Sequence, residues 1–175
     1  ERVEGTVIEE EASMEQNLVV RGVAFEDEIT KVSVLGLANS LTSLSTIFTT
    51  LAENHLNVDI IVQSTTEAES ANLAFSIKTD DLLETLNVLE NNKGVLNYEQ
   101  LDAENKLAKV SIVGSGMISN PGVAAKMFEV LATNQIQIKM VSTSEIKVSA
   151  VVEEKHMLKA VEVLHQEFGL STDNQ

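Results

Sequence analysis

Two loops in this sequence carry residue types that could hold a small anion. The first reads Gly36-Leu37-Ala38-Asn39-Ser40-Leu41-Thr42-Ser43, and the second reads Gly114-Ser115-Gly116-Met117-Ile118-Ser119-Asn120-Pro121-Gly122. Each stands between an apolar run and a helical pattern, so it ends at the unpaired N–H groups of a helix start, where about half a positive charge collects. An amino acid's α-carboxylate suits such a place. The same residue types also cap and start helices with no ligand involved, as Ser40, Thr42, Asn120 and Pro121 would do. A second feature is Asn57-Val58-Asp59-Ile60-Ile61-Val62-Gln63-Ser64, a strand pattern in which period two puts Asp59, Ile61 and Gln63 on one face. A carboxylate embedded there needs a counter-charge. A ligand ammonium would serve, and so would Lys139, which occupies the matching position of a second copy (139 − 80 = 59). Gln63 and Gln137 either bridge a ligand or satisfy backbone groups at a seam.

Other chemistries find little support. Gly114-Ser115-Gly116 lacks both the third glycine of a dinucleotide loop and the Lys-Ser/Thr of a phosphate loop. His55, His156 and His165 are scattered, and the last two, nine apart on one helix, point to opposite sides, so no metal face forms. Glu9-Glu10-Glu11 and Glu26-Asp27-Glu28 lack the alternating ligands and glycine of a calcium loop and read as solvated. No nucleophile stands beside an activating base, so catalysis is not expected within this chain. The 12 Lys+Arg against 27 Asp+Glu give a net charge of −15, which repels nucleic acid and anionic lipid, and 3% aromatics leave little for base stacking. Cysteine is absent, and there is neither a secretory start nor an apolar run approaching a membrane helix, so the expected location is cytoplasmic.

The elements that must position the loops come in a repeat. Lys31-Val32-Ser33-Val34-Leu35-Gly36 returns as Lys109-Val110-Ser111-Ile112-Val113-Gly114, an offset of 109 − 31 = 78. Ile47-Phe48 returns as Met127-Phe128 at 80, so the second copy has two extra residues in its loop. Each copy predicts a strand ending at glycine and then a helix with one apolar stripe: Leu44, Ile47, Phe48 and Leu51, or Ala124, Met127, Phe128 and Leu131. Two strands follow, over 57–64 and 72–77 or 137–143 and 146–152. A second helix carries Leu82, Leu86 and Leu89, or Met157, Val161, Leu164 and Phe168. In copy one Asn91-Asn92-Lys93-Gly94 predicts a turn before a last strand, Val95 to Leu101. Copy two has no such strand after Phe168-Gly169, and the unpartnered Asn17 to Ala24 is expected to fill that place. The fold class is α+β: two ferredoxin-like βαββαβ units, with antiparallel sheets and helices on one face. The first unit spans 29–101. The second is discontinuous, 16–28 plus 102–175, after a linker at 1–15.

These tandem units, with Asn57-Val58-Asp59-Ile60-Ile61-Val62-Gln63, Val141-Ser142-Thr143-Ser144-Glu145-Ile146 and the Asn120-Pro121-Gly122 loop, resemble the paired ACT domains at the C-terminus of aspartate kinase (aspartokinase). The resemblance covers roughly Asn17 to Leu170. Asn39-Ser40-Leu41-Thr42-Ser43-Leu44-Ser45-Thr46 looks most like the regulatory (beta) subunit of the lysine-sensitive Bacillus-type enzyme, and Met14 would suit the internal start from which that subunit is made. The resemblance implies a feedback sensor for aspartate phosphorylation that binds an end-product amino acid, lysine by preference and threonine as second choice. The effector would lie where the first ACT unit of one chain meets the second unit of its partner in a homodimer. Carried over by position, the implied effector-binding residues are Asn39, Ser40, Thr42 and Leu44 of the loop, Asn57, Val58, Asp59 and Gln63 of the strand, and Gln137 and Ile138 of the opposing unit. Asp59 would read the second positive charge of lysine. The loop departs from the family pattern at Asn39 and Leu41-Thr42, where many relatives carry Asp and Pro-Gly. No cofactor is expected in this chain, since ATP and Mg belong to the kinase domain or catalytic subunit, which is the implied protein partner. The alternative is a stand-alone ACT module that binds an amino acid or oligomerises without a feedback role.

Overall fold

The computed structural model describes residues 19–38, 41–66 and 69–170. It divides into two compact units. The inserted unit is the continuous stretch Glu28–Leu107, and the split unit joins the segment ending at Asp27 to the segment beginning at Ala108.

Along the chain the elements are β1 (Val20–Ala38), α1 (Ser43–Glu53), β2 (Ile61–Thr65), β3 (Ser70–Lys78), a 3-10 turn (Thr79–Asp81) leading into α2 (Leu82–Asn91), a single turn α3 (Lys93–Leu96), β4 (Gln100–Gly114), α4 (Pro121–Thr133), β5 (Met140–Thr143), β6 (Lys147–Glu153), a second 3-10 turn (Glu154–His156) and α5 (Met157–Glu167). β1 and β4 each give one half to either unit. The strand order is β2-β3-β1-β4 in the inserted unit and β1-β4-β6-β5 in the split unit. In both, strand and helix alternate as the repeat predicts, with antiparallel pairing of β1 with β3, β2 with β3 and β5 with β6.

Each unit closes on its own core. In the inserted unit Val32 and Val34 of β1 and Leu73, Phe75 and Ile77 of β3 alternate toward the helices, which answer with Ile47, Leu51, Val88 and Leu89. Phe48 meets Phe75 edge to face at 6.1 Å. In the split unit Val110, Ile112, Val148, Ala150 and Val152 meet Val123, Met127, Leu131, Ala160 and Leu164. The stripe positions correspond: Ile47 and Leu51 match Met127 and Leu131, all essentially inaccessible to solvent.

Three local expectations change, one of them being that β5 begins at Met140 rather than at residue 137. The segment Lys93–Leu96, expected to pass from turn into strand, makes one helical turn instead. Asn97 ends it in left-handed backbone with φ 55°, and the Tyr98 hydroxyl then donates to the Leu89 carbonyl at 2.9 Å. Leu96 and Tyr98 both reach the core that way, while Val95 stays 75% exposed. The regular ladder of β2 also starts at Ile61 rather than Asn57. There the Ile60 N–H donates to the Ser76 hydroxyl at 2.9 Å and the Asp59 N–H to the Ser76 carbonyl at 3.1 Å, so a side chain competes with the ladder.

Candidate functional site

The loop of the inserted unit follows a bulge in β1. The β1–β3 register slips between Val34 and Leu37, and Gly36, with φ 66°, takes up the slip in a conformation that favours glycine. Its N–H donates to Asn72 Oδ1 at 3.1 Å. Beyond the loop, the Ser43 hydroxyl donates to the Ala38 carbonyl at 2.6 Å. Leu44 turns inward onto the core, whereas Leu41 and Thr42 are exposed. Thr42 is the residue before α1, and its side chain makes no capping hydrogen bond. Its carbonyl instead receives the Thr46 N–H and hydroxyl, each at 2.8 Å. The backbone N–H groups at the start of α1 carry the partial positive charge of a helix N-terminus, and Thr42 does not cap them. Asn39 and Ser40 lie outside the described residues.

β2 is the outermost strand of its unit, and all five of its residues are exposed, Gln63 among them. Val58 packs on the core, while Asn57 and Asp59 are exposed. The registers fix which end each residue occupies. Thr65 pairs with Ala71, which pairs with Leu37 at the loop; Gln63 pairs with Leu73. Asp59 is tied to Ser76, and Ser76 pairs with Lys31. Five residues of extended chain separate Ala71 from Ser76, about 16 Å at the rise of a strand. Within one unit the structure therefore brings Thr42, Leu44 and, less closely, Gln63 to one end, and leaves Asn57, Val58 and Asp59 at the other. Alternation along a strand predicts its faces, but only the pairing tells which end meets the loop.

In the split unit Gln137 is exposed and Ile138 half-buried on the core. With Ala132, Gln135 and Ile136 they line an open concavity of about 420 Å³. Gln135 shapes it by leaving α4 in left-handed backbone, φ 60°. Lys139, the counterpart of Asp59, repeats its backbone role by donating N–H to the Val151 carbonyl at 2.7 Å. Nearby, Lys155 at 3.1 Å holds the Glu153 carboxyl below the usual range, with His156 and Lys139 adding smaller pulls.

The second loop also forms a hollow, of about 230 Å³, whose lining includes Met117, Ile118, Pro121, Thr143 and Ser144. Asn120 braces this loop by donating its side-chain amide to the Gly116 carbonyl at 2.8 Å. The residue-by-residue expectation did not include this hollow, although the repeat signals it, since it occupies the place that Gly36 to Ser43 occupy in the first copy. Among the described residues no three acidic or histidine side chains gather as a metal site, and no helix is long and apolar enough to cross a membrane.

Comparison with known proteins agrees with this architecture. The ACT domain family matches twice, over residues 32–94 and 110–168. An aspartokinase of Bacillus sp. (strain MGA3) is 77% identical over 171 residues, covering 98% of this chain and 42% of that protein. The chain thus spans less than half the length of the curated relatives it matches. A crystal structure of aspartokinase alpha and beta subunits superposes with a TM-score of 0.80 at 36% identity, covering 86% of this chain and 99% of the matched one. The ligand-free regulatory subunit of aspartate kinase from Thermus thermophilus gives the same TM-score at 32% identity, again over 86% and 99%. With two ACT units in series and such likeness to regulatory subunits end to end, the chain belongs to the aspartokinase family, within its regulatory part.

Proposed function

We propose that this chain binds an end-product amino acid, lysine by preference and threonine as second choice, and through that binding inhibits the phosphorylation of aspartate by a catalytic domain or subunit. The observation that carries the reading is one of extent: regulatory subunits are matched over 99% of their length, whole aspartokinases over about 42%. The chemistry fits. The start of α1, where the Thr42 side chain makes no capping bond, would offer N–H groups to an α-carboxylate, with Thr42 and Leu44 at that helix end; Asn39, Ser40 and Gln63 would complete the site in this reading. The ammonium end would then be met by Gln137 and Ile138 of a second chain, so the effector joins two copies in a homodimer.

Regulation in this reading is a population shift. An effector held by two chains favours the packing in which both halves of its site are present, and the catalytic partner follows that packing. A coupling of about 1 to 3 kcal/mol suffices for such control.

Calorimetry on the purified chain with lysine, threonine and methionine tests the proposal. Binding of lysine tighter than about 1 mM, with threonine weaker, is expected; no heat with any of the three overturns it. Asp59→Asn sharpens the assignment. Within its own unit Asp59 lies at the strand end opposite the loop, tied to Ser76. A loss confined to lysine would place a ligand position at its end of the strand, and equal loss for lysine and threonine would refute a charge-reading role.

A further inference from the structure

The split unit holds a further cavity, of about 360 Å³, whose lining includes Phe25, Glu26, Lys109, Ser111, Val113 and Lys147. Every residue that lines it belongs to that unit. Alternation explains how these side chains meet. Val110, Ile112 and Val148 turn to the helices and their core, so Lys109, Ser111, Val113 and Lys147 share the other face of the sheet. The Gly114 N–H donates to the Ile146 carbonyl at 2.8 Å and the Ser111 and Ser149 hydroxyls meet at 2.6 Å, which sets Lys147 across from Val113.

Charge in this cavity is not balanced. The Lys109 ammonium, on a side chain only 14% exposed, lies 3.7 Å from the Glu26 carboxylate. Lys147 makes no ion pair among the described residues, so the lining keeps one net positive charge in a chain whose total is −15. The repeat marks that lysine as a departure. Ser33 pairs with Ala74 as Ser111 meets Ser149, so the counterpart of Lys147 is Asn72, whose Oδ1 accepts the Gly36 N–H. The floor adds a donor. The two serine hydroxyls, each 2% exposed, spend one proton between them, and no other bond among the described residues uses the second. Around these polar groups the wall is apolar, built from Phe25, Val113 and the lysine stems.

We propose that this cavity binds a small monocarboxylic acid, its carboxylate between the Lys147 ammonium and the serine hydroxyls and its apolar body against Phe25 and Val113. One anionic charge matches the net charge of the lining, and pairing it satisfies a cation that the walls partly desolvate. An amino-acid zwitterion fits less well, because its ammonium adds a like charge beside two lysines. The site uses none of the effector-binding residues, so it stands or falls apart from the effector reading.

Titration of the full chain with 3-methylbutanoate, followed by amide nitrogen–proton NMR, tests the site. Saturable shifts at Phe25, Lys109, Ser111 and Lys147 are expected with an affinity of about 1 to 10 mM. Lys147→Gln is expected to weaken binding at least about tenfold, and Phe25→Ser about threefold; the spectrum away from the cavity reports whether each variant folds. Absence of saturable shifts at these residues overturns the proposal, and so does undiminished binding by folded Lys147→Gln. Inorganic phosphate bound there as tightly would reduce the site to plain anion attraction, and L-valine, the 2-amino form of the same acid, bound as tightly would remove the charge argument; either result overturns the monocarboxylate assignment. Should Lys147→Gln unfold, Phe25→Ser decides: weakened binding upholds the site and unchanged binding overturns it.

Discussion

The repeat puts a glycine at matching places, Gly36 within β1 and Gly114 at the end of β4, and the two glycines are needed for different reasons. In the inserted unit Gly36 is required by its own backbone, φ 66°, and the nearest obstacle to a side chain is the movable Glu99 carboxylate. In the split unit Gly114 is required by a neighbour, because a Cβ there would lie 1.8 Å from the Val19 carbonyl oxygen. The first glycine shapes a loop; the second admits a strand from the other end of the chain. A repeat visible in sequence therefore conceals a difference in closure.

Gly114→Ala should be the most damaging change, above about 4 kcal/mol, because two backbones must separate. The damage should appear as lost hydrogen-exchange protection in β1 up to Asp27 and in β6, with α1 and β3 still protected. If protection falls equally in both units, the two are one cooperative body. Next come the matched core residues. Ile47→Ala and Met127→Ala each leave a cavity where no solvent reaches, costing about 3 kcal/mol by urea denaturation, and each should loosen its own unit first. Gly36→Ala should be milder, about 1 to 2 kcal/mol, the cost of a left-handed L-residue.

The sequence made the cores legible, and the physical reason is simple. Period 3.6 at Leu44, Ile47, Phe48 and Leu51, and period 2 at Val32 and Val34, each report one buried face, and burial is what these residue types record. The candidate site was less legible. Asp59 and Gln63 share a strand and a face by alternation, but which of them approaches the loop depends on pairing with β3, and nothing local specifies that. The helical turn at Lys93–Leu96 was hidden for a similar reason. Asn-Asn-Lys-Gly favours any tight reversal, and the choice of a helical one follows from bringing both Leu96 and Tyr98 to the core.

Smaller perturbations sharpen the contrast between the units. Tyr98→Phe removes the bond to the Leu89 carbonyl and should cost the inserted unit about 1 kcal/mol. The same buried phenol, raised above its ordinary range by burial and by Glu90, should titrate late in an alkaline absorbance scan. The smallest effect belongs to charge. Lys78 and Asp59 occupy the positions that Glu153 and Lys139 fill in the split unit, so the signs are exchanged. Glu153 has a lowered folded value, so its contribution is complete above the ordinary carboxylate range and fades as pH falls through that lowered value. Glu153→Gln should flatten the acid side of the melting-temperature profile slightly. Lys126, raised by Glu167, has the opposite sense: its contribution is complete below the ordinary lysine range and fades as pH climbs through the raised value.

The hydrogen bond from the Ser115 N–H to the Val19 carbonyl joins residues 96 apart (115 − 19). During synthesis the earliest strand of the split unit must therefore wait while the whole inserted unit emerges, some 5 to 20 s at ribosomal speeds. The inserted unit can settle in that interval, while Val19, Val20 and Val23 wait for a core that does not yet exist.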